Sequence, residues 1–547
     1  MAYSSSLRKG INKTDTAMAD DEEKKYDFLA ERYLDLVCKN LPIVNRAVCQ
    51  YGDTYLIDYL KTLNLVAEAS HQQRKDLIET VRRHVSTLLG DSLGGRAAND
   101  LQKYPFVLTA NHHGVEYFSQ TFQARLIFSL NAITGAKSAS TVPIFSFGSV
   151  ALNNPTFPRG LLLYGVQPDN LNEIPIRLPV FPGRLKRLMV ATAPSFDQTM
   201  VGKAEAEVDR FVDDQKISLE SSGIVHKIFR EDYCAESVLK LPTYSQQAVV
   251  LNNRLWKRLF SGFKKVPDLI FLEIEKIASD LLKADLSNSN SLAWHVMFEP
   301  AVREKLLDKL DTARGCWDRE KLAQRLSLPG AVAVQKNPSS NCGTVFFWGI
   351  DPAGKRIPLS LESTSSGGKK LCGIDDGGNT WELPYTPQAI TEGLNENRLL
   401  PSSFTCFLVI SFARGITCIG GYHQGAYLES MKRGVLAALQ TTTGYDDVAA
   451  LVKLVPTDRY LDSMLTVMTL IGEGYLVPAG PVEIIAGGGI TTGDVEKMLS
   501  LTLREAHLAD MLETVLDAVP KALLQPDWKT HLARGNYRFL AGKVVVK

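Results

Sequence analysis

Two adjacent histidines, His112 and His113, follow the short apolar run Phe106–Thr109. Imidazole titrates near neutrality and suits general acid–base work. Neighbouring side chains on a turn diverge, so one ring can face a ligand and the other the protein body. Asn111 precedes the pair, and Glu116 stands three residues after His113. Glu116 can act as a base, orient a histidine, or satisfy a helix N-terminus as a first-turn carboxylate. A second polar group lies far downstream in Gly420-Gly421-Tyr422-His423-Gln424-Gly425. Its two glycines either form a tight turn for packing or bare backbone N–H groups at a helix start, suited to a carboxylate or phosphate. His423 and Gln424 are the side chains that would touch and orient such a ligand. Asn153 and Asn154, with Arg159 beyond Pro158, can hold an anion or simply cap the next element.

Gly487-Gly488-Gly489, with Thr491, Thr492 and Asp494, reads as strand, glycine turn and helix start. Such a turn can hold the phosphates of a cofactor such as ATP or ADP. It lacks the Gly-Lys-Ser/Thr ending of a P-loop, and a linker capped by Thr492 or Asp494 fits it equally. If the two histidine motifs face each other, His112 or His113, Glu116 and His423 can together bind a divalent metal, although no spacing demands one. Cys406 and Cys418 lie in or just after an apolar run and read as core.

The elements that must position these groups follow from periodicity. Phe106–Thr109 reads as a buried strand. Val115, Phe118, Phe122, Leu126, Leu130 and Ile133 recur every three or four residues, the apolar face of a helix opening at Gly114. Strand, turn and helix make half of a βαβ unit, whose turn sits where ligands bind in open α/β sheets. Thr141–Phe147 reads as the next strand. Thr344–Asp351 and Arg356–Glu362 read as a hairpin, and Asp375–Asn379 as a further turn. Phe404–Ser411 reads as a buried strand leading to the Gly-Gly motif and a helix carrying Ala426, Tyr427, Met431, Val435, Leu436 and Leu439 on one face. Glu22–Leu89 is helical in pattern, broken at Gly90–Gly95.

The 547 residues carry 61 Lys+Arg against 60 Asp+Glu, a net charge of +1. That balance gives no support to nucleic-acid or anionic-membrane binding. The N-terminus lacks the apolar stretch of a secretory signal. The longest apolar run, Phe404–Ala413, is about half a membrane span. Eight cysteines without a CxxC pair argue against a structural zinc site and for a reduced, cytoplasmic setting. The expected partner is a small molecule.

Three stretches together resemble the bacillithiol biosynthesis cysteine-adding enzyme family. VLTANHHGVEYFSQTF resembles that family's V-x-T-G-Q-Q-x-G motif, with Thr109 at its Thr, Asn111 and His112 at its paired Gln, and Gly114 at its later Gly. VPIFSFGS resembles its V-P-V-F-W strand. FFWGIDPAGKRIPLSLE and GGYHQGAYL resemble its I-D-x-x-G-K-R-x-x-L hairpin and its G-G-P-x-E-I-A-Y-W motif. The resemblance covers roughly residues 95–160 and 340–440. It implies a Rossmann-like core, a bound nucleotide, and a ligase that joins an amino acid or similar small acid to an amine. In that reading His112 or His113 is the base, Glu116 assists, Gly420–Gly421 cradle an anion, and Asn111, His423 and Gln424 orient substrate.

The chain departs from the family in three places. The family's acidic E-D-H-D falls at Val150-Ala151-Leu152-Asn153, its Arg-Pro at Thr405-Cys406, and its Glu at Gln424. A metal-dependent hydrolase or lyase and a non-catalytic binding protein are the alternatives on the same fold. The expected architecture is α/β: a Rossmann-like core with a parallel sheet, a helical insertion and helical N- and C-terminal regions. In chain order it reads as a flexible arm (1–20), an N-terminal helical region (21–100), the first part of the core (101–185), the helical insertion (186–330), the second part of the core (331–445) and a mostly helical C-terminal region (446–547). The family pairs subunits through a coiled-coil arm. No heptad run stands here, so any homo-oligomer would not use one.

Overall fold

Four short apolar runs far apart in the chain make one parallel sheet: Phe106–Ala110 (β1), Thr141–Ser146 (β2), Asp268–Glu273 (β3) and Thr417–Ile419 (β4). Their order is β3-β2-β1-β4. The register places Thr141 to Ser146 beside Asp268 to Glu273, Leu108 beside Ile144, and Leu108 beside Ile419. A parallel sheet is stable only when both faces are covered, and here alternate residues enter two cores. Phe106 and Leu108 join Ile144, Phe271 and Ile419 in one core, while Val107 joins Phe145, Ile270, Leu272 and Cys418 in the other.

This computed structural model describes residues 29–63, 74–110, 112–134, 139–166, 171–260, 262–263, 265–327, 342–472 and 474–547. The arm expected over 1–20 and Asn111 lie outside them. The first core is closed by helix α1 (Ser119–Ile133), through Phe122, Leu126 and Leu130, and by residues of the C-terminal region such as Met464 and Val467. The second is closed by helix Lys75–Leu89 and by α3 (Ile274–Leu286). Between them in the chain runs α2 (Tyr244–Leu259), packed beside β3. After β4 come α4 (Tyr422–Gln440) and, near the C-terminus, α5 (Met511–Ala518). Among the described residues four small sheets accompany the central one, and the hairpin Phe347–Ile350 with Arg356–Pro358 lies within the longer one expected over Thr344–Glu362. The molecule is therefore mixed α/β and largely helical, with one central parallel sheet. Among the described residues, no helix is long and apolar enough to cross a membrane. All eight cysteines are unpaired thiols.

Several expectations are corrected. Phe404–Ser411 is not a strand: Ser402 caps a helical turn over Ser403–Phe407, and a π-helical turn continues through Phe412. Every residue of the run is buried, so alternation could not separate strand from helix. The buried Arg414 that ends it pairs with Asp76 at 2.6 Å and Asp285 at 2.9 Å. The region read as a helical insertion contributes β3, on which Ile270 lies. The stretch before Gly487 is a helix, Pro481–Ala486, and the C-terminal region contributes a three-stranded sheet.

The break at Gly90–Gly95 shrinks to Gly90 alone, because a helix resumes at Asp91. Gly94 lies where that helix meets Lys75–Leu89: a Cβ there would fall 2.8 Å from the Arg82 carbonyl oxygen, whereas a Cβ on Gly95 meets open space. Gly94→Ala should therefore cost about 1–3 kcal/mol. Gly95→Ala should gain up to about 1 kcal/mol from helix propensity. Urea unfolding midpoints that move in the same direction for both variants would contradict this packing.

Candidate functional site

The strand order reverses between β1 and β4, and in parallel sheets the crevice beyond the carboxyl ends at such a point is where ligands bind. A cavity of about 470 Å³ opens there. Its walls include Thr109 of β1, Gln120 and Arg125 of α1, Tyr422, His423 and Gln424 of α4, and two acids from the C-terminal region, Asp462 and Asp517.

The helix expected from Gly114 starts only at Ser119. Residues 112–118 form a largely buried connector: His113 N–H donates to the Phe147 carbonyl of the neighbouring strand's exit, and side chains take up much of the rest. Asn252 of α2 accepts from Glu116 N–H and donates to the Gly114 carbonyl, both at 2.8 Å. The Tyr244 hydroxyl accepts from Val115 N–H, and the Tyr164 hydroxyl accepts from Ser119 N–H. Gly114 has φ +139°, and a Cβ there would fall 2.7 Å from Pro158 Cβ. Glu116 is thus no first-turn helix carboxylate.

Instead Glu116 meets Arg125, one helical turn and a half into α1, with Oε2 at 2.8 Å from Nη1. His112 Nε2 lies 3.1 Å from the other carboxylate oxygen. All three side chains are almost fully buried. Burial pushes the Glu116 carboxyl up, but Arg125 and His112 overcome it and hold it near about 2. His113 is spent on structure. The Ser245 carbonyl, 3.1 Å from Nε2, can only accept, so Nε2 carries the proton and Nδ1 accepts from Ser146 Oγ at 2.7 Å. Burial pushes the His113 imidazole below its ordinary value, and the ring stacks on Phe271. His112, His113 and Glu116 do not line the cavity; Arg125 is the member of the group that reaches it.

The Gly-Gly motif is also filled from within. Gly421 caps α4, and a Cβ there would fall 2.3 Å from Asp462 Oδ2. The anion at this helix start is the chain's own carboxylate. At Gly420 a Cβ would meet Gln424 Oε1 at 2.2 Å and Thr109 Oγ1 at 2.7 Å. Thr109 donates to Gln424 Oε1 at 2.5 Å, and Gln424 donates to the Cys418 carbonyl. Gln424 therefore clamps β1 to β4 at the cavity floor. His423 Nε2 lies 2.8 Å from Asp517 Oδ2, which also accepts from the Tyr422 hydroxyl at 2.6 Å.

Asn153 is exposed and lies outside the cavity wall, whereas Asn154 lines it, its side chain accepting from Thr156. Arg159 packs over Phe157 beside Arg177, away from the cavity. Gly488 and Gly489 have positive φ and end helix Pro481–Ala486, and Gly487 lies against Lys547. Thr491 caps helix Thr492–Leu499 in a capping box with Asp494. This glycine turn joins two helices and does not border the cavity. His423 pairs with Asp517 and His112 with Glu116. Among the described residues no group of three or more His, Cys, Asp or Glu side chains is arranged to hold a metal ion.

The sequence reading missed the groups that most define the cavity. Arg125 sits on a helix read for its apolar face, and its signal was a lone arginine on an otherwise uncharged helix. Asp462, Asp517 and Arg314 lie in stretches without a motif. Asp462 is 8% exposed and its Oδ1 has no hydrogen-bond partner among the described residues. Burial raises its carboxyl to about 6, with Ser463 N–H and Arg125 pulling the other way.

Removing the Glu116 charge strands Arg125 in the interior. Glu116→Gln should cost about 3–5 kcal/mol, and adding Arg125→Met should recover part of the loss. The Glu116 carboxyl is held below its ordinary value of 4.5. Its contribution is therefore complete above pH 4.5 and is lost as pH falls through about 2. The wild-type and Glu116→Gln unfolding midpoints should converge over that window. Comparisons with protein-family models, with curated proteins and with solved structures find no match to this chain.

Proposed function

We propose that the cavity between β1 and β4 binds a small amine and that the chain joins it to an amino acid or similar small acid, forming a C–N bond. The observation that carries this reading is Asp462: a buried carboxylate on the cavity wall, with one oxygen unpartnered and a proton affinity near neutrality. Such a group is suited to accept the proton that a nitrogen releases as its bond to an acyl carbon forms. Asp517 and His423 on the same wall supply the polar contacts that orient an amine, and Arg125 and Arg314 suit the carboxylate of the acid partner.

The order β3-β2-β1-β4 supports reading the sheet as a Rossmann-like core. The resemblance to the bacillithiol cysteine-adding enzymes supports the reaction class and a bound nucleotide. In this reading the nucleotide is ATP, which phosphorylates the acid's carboxylate, and phosphate leaves with the acyl C–O bond as the C–N bond forms. In this reading the acids missing after β2 are replaced by acids from the C-terminal region. The base is then Asp462 rather than His112 or His113. A reducing, cytoplasmic setting is part of the same reading.

Native mass spectrometry of the full chain with ATP and panels of amino acids and amines, followed by product detection, tests this. Asp462→Asn should lower the turnover of any product so found by about 10²–10⁴-fold. The native state holds the Asp462 proton more tightly than the unfolded chain does, so the ionised form costs stability as pH rises from about 4 through about 6. Asp462→Asn should therefore raise the unfolding midpoint more at pH 8 than at pH 4. Full turnover in Asp462→Asn, or no product from any pair, would reject the assignment.

A further inference from the structure

A second chamber of about 630 Å³ adjoins the first and shares with it Phe118, Gln120, Asn154, Arg314, Tyr422, His423 and Asp517. The shared residues make the two spaces one continuous cleft. The chemistry of the second chamber is different. Leu171, Ile174, Pro175, Val477, Leu512 and Leu516 line it, and Leu516 is exposed on its surface. Exposed apolar surface inside a cleft is stabilised when an apolar ligand covers it.

At the inner side of this lining stands α5, which carries Glu513 and, one turn on, Asp517. One Glu513 oxygen accepts from Ser119 Oγ at 2.6 Å, and the other, Oε2, is buried without a hydrogen-bond partner among the described residues. A buried acceptor without a donor is a site that a ligand's N–H can satisfy. Behind it, the fully buried Asp510 accepts from Gln120 Nε2 at 2.7 Å, and its own Oδ1 is likewise unpartnered. Of the chamber's cations, Arg177 and Arg314 are exposed to water, and the half-buried Lys529 has Glu513 as its charged neighbour.

We propose that this chamber receives the apolar body of the amine substrate, with its ammonium against Glu513 and Asp517, so that the acceptor is an apolar-bodied primary amine rather than a hydrophilic one. This rests on the amine-binding reading of the adjoining cavity and names the substrate class that reading leaves open. The carboxyl oxygens select for an N–H-bearing cation, the lining selects for hydrocarbon or an aromatic ring, and the shared wall passes the nitrogen toward Asp462.

The probes are phenethylamine, phenethyl alcohol, propylamine and 3-phenylpropionate, titrated calorimetrically into the full chain. Phenethylamine should bind at least tenfold more tightly than each of the other three. Glu513→Gln should weaken phenethylamine binding at least tenfold. Leu516→Lys, a change at an exposed position that leaves the interior untouched, should weaken it at least fivefold. Equal binding of the alcohol or of propylamine, preference for 3-phenylpropionate, or unchanged affinity in both variants overturns the proposal. The two readings fail separately. Product from ethanolamine but not from phenethylamine, with ATP and an amino acid present, overturns the chamber's assignment and leaves bond formation standing. Tight phenethylamine binding without product from any amine supports the chamber and overturns bond formation.

Discussion

The ion pair between Glu116 and Arg125 is the constraint around which the molecule is arranged. Two opposite charges almost wholly removed from water are tolerated only when each is the other's partner. The pair therefore dictates that the connector after β1 folds back over the first turns of α1 instead of continuing as helix. That path needs Gly114, the side-chain bonds of Asn252 and the hydroxyl of Tyr244, and so ties β1 and α1 to α2. It also orients His112. Arg125 then carries the same field to the cavity wall, where it tempers the effect of burial on Asp462.

The cavity is assembled late and from a distance. Thr109 of β1 bonds to Gln424, 315 positions farther along the chain, and the acids come from still farther along it. Such non-local closure is slow to form, because the loop entropy is lost before the contact is made. The site is complete only when β4, α4 and the C-terminal region are docked on the sheet together. Carboxyls on the C-terminal region, and not residues at the exit of β2, give the cleft its charge. At that exit the N–H groups of Gly148 and Ser149 are instead bound by the buried Glu275.

Elements with one unambiguous period were legible in the sequence. β1, β2 and the helix after Gly421 appear within a residue or two of where pattern places them, while the Trp348 hairpin is shorter than expected, because the chain leaves it after Pro358 and joins another sheet from Ser360. The run at Phe404–Ser411 was not legible, because burial on all sides erases the difference between the periods of strand and helix. β3 was hidden because it runs straight into the helix that follows it, with Ile270 one helical turn before Ile274. Among polar groups, the sequence pointed to the ends of β1 and β4. His113 and the Gly-Gly pair do stand at the carboxyl ends of β1 and β4, but both are satisfied by the protein itself. Asp462 could not be picked out, since its importance lies in desolvation and in an unpaired oxygen, and neither is a property of local sequence.

Gly421 has a bearing on how this chain can vary. The missing side chain leaves the space that the Asp462 carboxylate fills, so any larger residue at 421 evicts the acid, and any larger acid at 462 presses on the backbone of α4. The two positions form a lock with a single fitting key. Lineages that alter one must alter the other in step, and a chain found with a side chain at 421 will have placed its acid elsewhere or given it up.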